Sequence, residues 1–115
     1  MLLILGEHDK GTGVPFHPGT VSGRRLRKIL ADIGLNARLG NVYEIDERGR
    51  CTLKNLPEIA GDSPVVVLGK VAEKECRRQG VAATYLPHPA VRSQGQLERL
   101  RAGLLEIKQA ESRRA

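Results

Sequence analysis

The sequence predicts an α/β domain, three layers deep, in which a mainly parallel sheet of about four strands lies between helices. Three observations predict it. Unbroken apolar runs, Leu2 to Leu5 and Pro64-Val65-Val66-Val67-Leu68-Gly69, have the character of strands buried on both faces, as parallel strands are. Between and after these runs come stretches whose apolar residues recur at helical spacing. A length of 115 residues suits one domain with one core, near the lower limit for a sheet covered on both sides.

The first strand ends at Gly6, after which Gly11, Gly13, Pro15, Pro18 and Gly19 exclude regular structure until about Thr20. A helix follows from Ser22. Ser22 or Thr20 can cap it, Leu26, Ile29, Leu30 and Ile33 fall on one face, and Gly34 can end it. Arg24, Arg25, Arg27 and Lys28 lie off that face or on its rim, as a solvated exterior or as contacts to phosphate. Gly40 to Asp46 is expected as a second strand through Val42 and Ile45, with Asp46-Glu47-Arg48-Gly49-Arg50 a polar turn after it. The clearest strand, at Pro64 to Gly69, is β-branched and bounded by Pro and Gly. Lys70 to Gln79 is a short helix that Gly80 can stop, and Val81 to Leu86 resumes strand character. Gln94 to about Arg113 is the last helix, with Leu97, Leu100, Leu104 and Ile107 near one stripe. No repeat, low-complexity tract or interdomain linker interrupts this order.

Composition narrows the function. Nineteen Lys and Arg against 13 Asp and Glu give a formal charge of +6, which suits a polyanionic partner as well as a merely basic soluble protein. Cys51 and Cys76 are isolated, so neither a zinc ribbon nor a disulfide framework is indicated, and two reduced thiols fit a cytoplasmic protein. Met1 to Leu5 is too short for a signal peptide or a membrane span. Gly11-Thr12-Gly13 lacks a third glycine, and Pro15 stands where a dinucleotide-binding helix would begin. There is no Walker lysine, no Gly-x-Ser-x-Gly elbow and no His-Glu-x-x-His helix.

What remains is a pair of loops. Gly6-Glu7-His8-Asp9, running on to Val14-Pro15-Phe16, follows the first apolar run, and Leu86-Pro87-His88-Pro89-Ala90-Val91-Arg92 follows the last strand. Loops beyond the carboxyl ends of parallel strands converge on one crevice, so acid, aromatic and imidazole groups are expected to meet there. The segments LGEHDKGTGVPFHPGTVSGRRLRKILADIGL, NVYEID, VVVLGKVAEKE and TYLPHPAVR, in that order, resemble the uracil-DNA glycosylase superfamily, most closely the branch whose first motif is Gly-Glu-Ala-Pro-Gly with a following Pro-Phe. The resemblance covers Leu3 to Arg92; it rests on the ordered set, since no single motif is specific.

The resemblance implies a glycosylase-like fold and a role for each matched position. Phe16 would stack on an extruded base, against a plain reading as a core aromatic. His88 would donate to a base oxygen as negative charge moves onto the leaving ring, against a reading as a loop cap. Glu7, with Asp9 beside it, would orient water or offset positive charge on the sugar, or else cap a turn. Ser22 and Gly23 resemble residues whose backbone approaches a DNA phosphate, and Arg92 would clamp another. The family's pyrimidine-reading Asn, aligned through Val42-Tyr43, falls on Asp46; a carboxylate only accepts hydrogen bonds and would suit a base offering an exocyclic amine.

The chain also departs from the family in the residues after Glu7, in its short length, and in its two cysteines, which cannot complete the four-cysteine iron-sulfur site of the related branch. The expected function is therefore binding of an extruded, damaged or modified base in DNA, single-stranded DNA included, with hydrolysis of its N-glycosidic bond. No metal or organic cofactor and no membrane partner is implied. The alternatives are a non-catalytic nucleic-acid-binding protein of the same fold and a small α/β protein acting on a free nucleoside or other small ligand.

Overall fold

The computed structural model describes residues 1–8 and 12–114, with side chains described as far as residue 111. Strand β1 (Leu2–Gly6) sits at the centre of a four-stranded, all-parallel sheet with β2 (Ala37–Asn41) on one side and β5 (Val65–Leu68), then β6 (Thr84–Leu86), on the other. Between β2 and β5 the chain forms a separate antiparallel hairpin, β3 (Tyr43–Ile45) and β4 (Cys51–Leu53), and a one-turn helix, α2 (Leu56–Ala60). The longer helices are α1 (Val21–Ile33), α3 (Lys70–Arg78) and α4 (Gln94–Arg114).

Strand periodicity sorts the aliphatic residues into two cores. Leu2, Ile4, Val66 and Leu68 point to one face and pack with Leu26, Ile29 and Ile33 of α1 and Leu100 and Leu104 of α4. Leu3, Leu5, Val65 and Val67 point to the other and pack with Leu56 and Ala60 of α2 and Ala72 and Cys76 of α3. Burial on both faces is why β1 and β5 are unbroken aliphatic runs, and it gives the three-layer α/β/α arrangement that the sequence predicts. Burial pushes the Cys76 thiol up from its ordinary value, whereas Cys51 lies exposed on the hairpin.

The second strand differs from expectation. It comprises Ala37–Asn41 and not Gly40 to Asp46, and residues 43–45 belong to the hairpin instead. As a sheet edge β2 needs little apolar surface: Arg38 is exposed and donates to Ile59 O and Ser63 Oγ. Strand β6 is also shorter than Val81 to Leu86, beginning at Thr84.

Candidate functional site

The chain runs from β1 to β2 on one side, then crosses β1 to reach β5 on the other, so the strand order reverses between β1 and β5. A crevice opens beyond the carboxyl ends of strands at such a reversal. Here it holds a hollow of about 40 Å³ lined by Gly6, Glu7, His8, Phe16, His17, Thr20, Ser22, Asn41 and His88. Residues from the two ends of the chain thus share one cavity, and all three histidines of the sequence line it.

The floor is Phe16. Its φ of +50° is left-handed, a conformation that a bulky residue adopts only when its surroundings impose it. Arg27, from α1, donates through Nε to Phe16 O at 2.7 Å and through Nη2 to Pro15 O at 3.2 Å. The next carbonyl, His17 O, accepts from Thr20 N at 3.0 Å and Thr20 Oγ1 at 2.8 Å. The turn then presses on α1 where the helix has no side chain: a Cβ on Gly23 would lie 2.0 Å from His17 O. Opposite, a Cβ on Gly6 would lie 2.6 Å from Phe16 Cζ. Phe16 is both core and cavity lining, 7% exposed and packed with Leu2, Leu26 and Leu100.

His88 arrives on a loop that α1 also holds. Arg25 Nη1 donates to Pro89 O at 3.1 Å and to Val91 O at 2.9 Å, while Val91 N closes a turn onto His88 O. His88 Nδ1 accepts from Ala90 N at 3.1 Å. A neutral imidazole whose Nδ1 accepts carries its proton on Nε2. Gly69, at φ +95°, ends β5 beneath the ring, where a Cβ would stand 3.5 Å from His88 Cδ2.

Asn41 is the residue that sequence reasoning missed. It ends β2 beside Gly6 and is 4% exposed. No described group hydrogen-bonds its carboxamide, and neither carboxamide atom is sealed from the hollow it lines. Its amide atoms therefore face the hollow and are open to whatever enters it, water included. Glu7 stands exposed at the rim, its backbone fixed where Tyr43 N donates to Glu7 O at 2.9 Å. Its carboxylate makes no hydrogen bond or ion pair to a described residue.

Of the residues singled out in sequence, Glu7, Phe16, Ser22 and His88 meet in this hollow. Asp9 lies outside the described residues. Asp46 is elsewhere: it closes the β3–β4 turn, accepting from Arg48 N at 2.9 Å, Arg50 N at 2.8 Å and Arg50 Nε at 3.0 Å. The backbone N–H of Arg50, with further help from Arg48 N and the Arg50 side chain, holds its carboxyl below the usual aspartate range despite some desolvation. Alignment through Val42-Tyr43 ran past the strand end, and the amide at that end is Asn41, first residue of the NVYEID segment. Gly23 is covered by the Phe16–His17 turn and its N–H is taken by Thr20 Oγ1 at 3.0 Å, so it has no donor for a phosphate. Arg92 is exposed beyond the His88 loop and does not line the hollow. Arg25 and Arg27, half-buried, clamp backbone carbonyls of the two loops.

Among the described residues no cluster of His, Cys, Asp and Glu is placed to hold a metal ion, and no helix is long and apolar enough to cross a membrane. No family model matches the chain, and no curated protein matches it.

Proposed function

We propose that this chain takes an extruded base of DNA into the hollow and hydrolyses its N-glycosidic bond. The observation that carries the reading is the carboxamide of Asn41, 4% exposed and open only to the hollow, in one cavity with an aromatic floor, a fixed imidazole and a carboxylate. A carboxamide offers one acceptor and two donor hydrogens, the complement of a ring edge where N–H adjoins C=O. The base class is therefore a lactam or imide such as uracil, in place of the amine-bearing base that a carboxylate at this point would favour. Phe16 supplies an apolar surface against the ring, replacing the stacking lost on extrusion.

As the C1′–N bond breaks, its electron pair moves into the base and charge accumulates on the ring oxygens. A hydrogen bond from His88 Nε2 strengthens as that happens, which lowers the barrier rather than merely tightening binding. Glu7 faces the sugar side, where its charge offsets the oxocarbenium character and its oxygen takes a proton from the water that bonds to C1′. The experiment is incubation with oligonucleotides carrying a panel of modified bases, scored for alkali-labile abasic sites. Excision of a lactam base is expected, and His88→Ala is expected to slow it by about 10²-fold while DNA binding holds. An intact panel with salt-dependent DNA binding would favour the non-catalytic reading, which the lack of any described group orienting the Glu7 carboxylate supports.

A further inference from the structure

We propose that two copies of this chain join along β6, by an antiparallel pairing of that strand with itself that seats Tyr85 of each copy in a hollow of the other. Nothing in this pairing rests on the base reading above. Strand β6 ends the sheet on the side away from β2, and among the described residues its one strand neighbour is β5. Gly69 N donates to Leu86 O, so the backbone of Leu86 faces β5, and that of Tyr85, one residue back, turns its N–H and C=O to the open side.

An open edge is a template for a further strand, and folded chains ordinarily blunt it with charge, proline or a bulge. The opposite edge follows that rule, since β2 carries Arg38 exposed. Val81 to Leu86 does not: it holds no charged residue and no proline, and Ala82, Ala83, Thr84 and Tyr85 are all exposed.

The side chains indicate what covers this edge. Leu86 points to the α4 face, where Gly103 leaves no room for a Cβ against it. Tyr85 is in register with Val67 and so points to the opposite, α3 face. Helix α3 lies over β5 and β1, which leaves Tyr85 40% exposed. On that same face, between α3 and the segment leading into β6, is a shallow hollow of about 230 Å³ lined by Glu73, Cys76, Arg77, Val81, Ala82 and Ala83. An aromatic ring needs less room than that, since about 150 Å³ accommodates benzene. The hollow is largely apolar, and the Glu73–Arg77 pair at 3.3 Å supplies polar partners for a phenol hydroxyl.

A two-fold axis at Tyr85 brings ring and hollow together. Opposite residues of an antiparallel pair share a face, and the two Tyr85 residues exchange both N–H···O bonds. Each ring is then diagonal to Ala83 of the other copy, within reach of an aromatic side chain and at the lip of the hollow. The second copy is thus a partner that brings a ring to this hollow in this register. The contact is isologous and closes at two copies, because it consumes both β6 edges and leaves β2 outermost at each end. The two crevices open at opposite ends of the joined sheet, so neither obstructs the other.

The test is sedimentation equilibrium of the full chain from micromolar to millimolar concentration, with amide exchange at Tyr85 as the local readout. At the upper concentrations a mass of twice 12.6 kDa is expected, with protection of the Tyr85 amide that disappears on dilution; the Leu86 amide, paired within the sheet, stays protected throughout. Tyr85→Lys sets like charges across the axis and leaves the hollow empty, whereas Ala83→Glu crowds the hollow from its own chain. Both positions are exposed, so the melting temperature is expected to hold while each substitution weakens association by about tenfold or more. A chain that stays monomeric throughout, or a dimer whose affinity either variant leaves unchanged, overturns the pairing. Protection of the Tyr85 amide in a monomeric chain would show another segment covering the edge and would overturn it as well.

Discussion

Asn41→Leu is expected to make the unliganded protein more stable. Burial of an unpartnered carboxamide costs about 1–3 kcal/mol, and because the hollow reaches both amide atoms the lower end applies, about 1 kcal/mol. Leucine has the same branched outline with a larger volume, removes that cost and adds apolar contact with neighbours such as Phe16, for a net gain of about 1–2 kcal/mol. For a chain of this length the melting temperature should rise by about 4–8 °C. Thermal and urea unfolding followed by circular dichroism measure it, and Asn41→Val, which is smaller, guards against a clash with the ring. A loss of more than about 1 kcal/mol in both variants would mean that the amide holds the fold together, and the argument that it awaits a ligand would be refuted.

Arg25→Ala removes both bonds to the His88 loop and should lower stability by about 2 kcal/mol, since each bond is charge-assisted but only partly buried; a displaced His88 ring resonance in NMR is the local readout. Gly6→Ala puts a methyl 2.6 Å from Phe16 Cζ, so the ring must move, at about 1–3 kcal/mol by urea midpoint and with a shifted Phe16 resonance. Asp46 has a folded pKa below its unfolded value, so its contribution is complete above the unfolded aspartate range and is lost as pH falls through the folded value; the protection of the Arg48 and Arg50 amides relative to their intrinsic exchange should fall in that acid window, and Asp46→Asn should remove that fall.

What the sequence disclosed follows from how deeply each element is buried. Strands β1 and β5, covered on both faces, and α1 and α4, each with one apolar stripe, impose patterns that survive inspection. Strand β2 imposes none, because an edge strand can carry Arg38 outward and Gly40 against Leu5, and that silence moved the expected strand end from Asn41 to Asp46. The one-turn α2 is too short for a period; its marks are the Asn55 side chain accepting from Glu58 N and Pro57 in the first turn. The hairpin is exposed along most of its length and so has little apolar alternation to give. In the site, the paired loops were visible as turn-rich segments bearing Glu7, Phe16 and His88. Helical spacing places Arg25 and Arg27 off the core stripe and says nothing of the loops that fold back to meet them.

Those two arginines explain why loops some seventy residues apart form one cavity. Residues two apart on a helix diverge by about 200° and do not face each other. Arg25 therefore reaches to one side of α1, onto the carbonyls of Pro89 and Val91, while Arg27 reaches to the other, onto those of Pro15 and Phe16. The helix in turn is fixed to the sheet by Leu26, which lies between them in sequence and is wholly buried. A single turn of α1 thus sets the distance between the aromatic floor and the imidazole, so Arg25→Ala should move the imidazole and Arg27→Ala the aromatic floor, whereas Lys28, exposed on the same helix, should be replaceable without effect on the hollow. If Arg25→Ala left His88 in place and Arg27→Ala left Phe16 in place, the two loops would be held by other contacts and α1 would not be the common support.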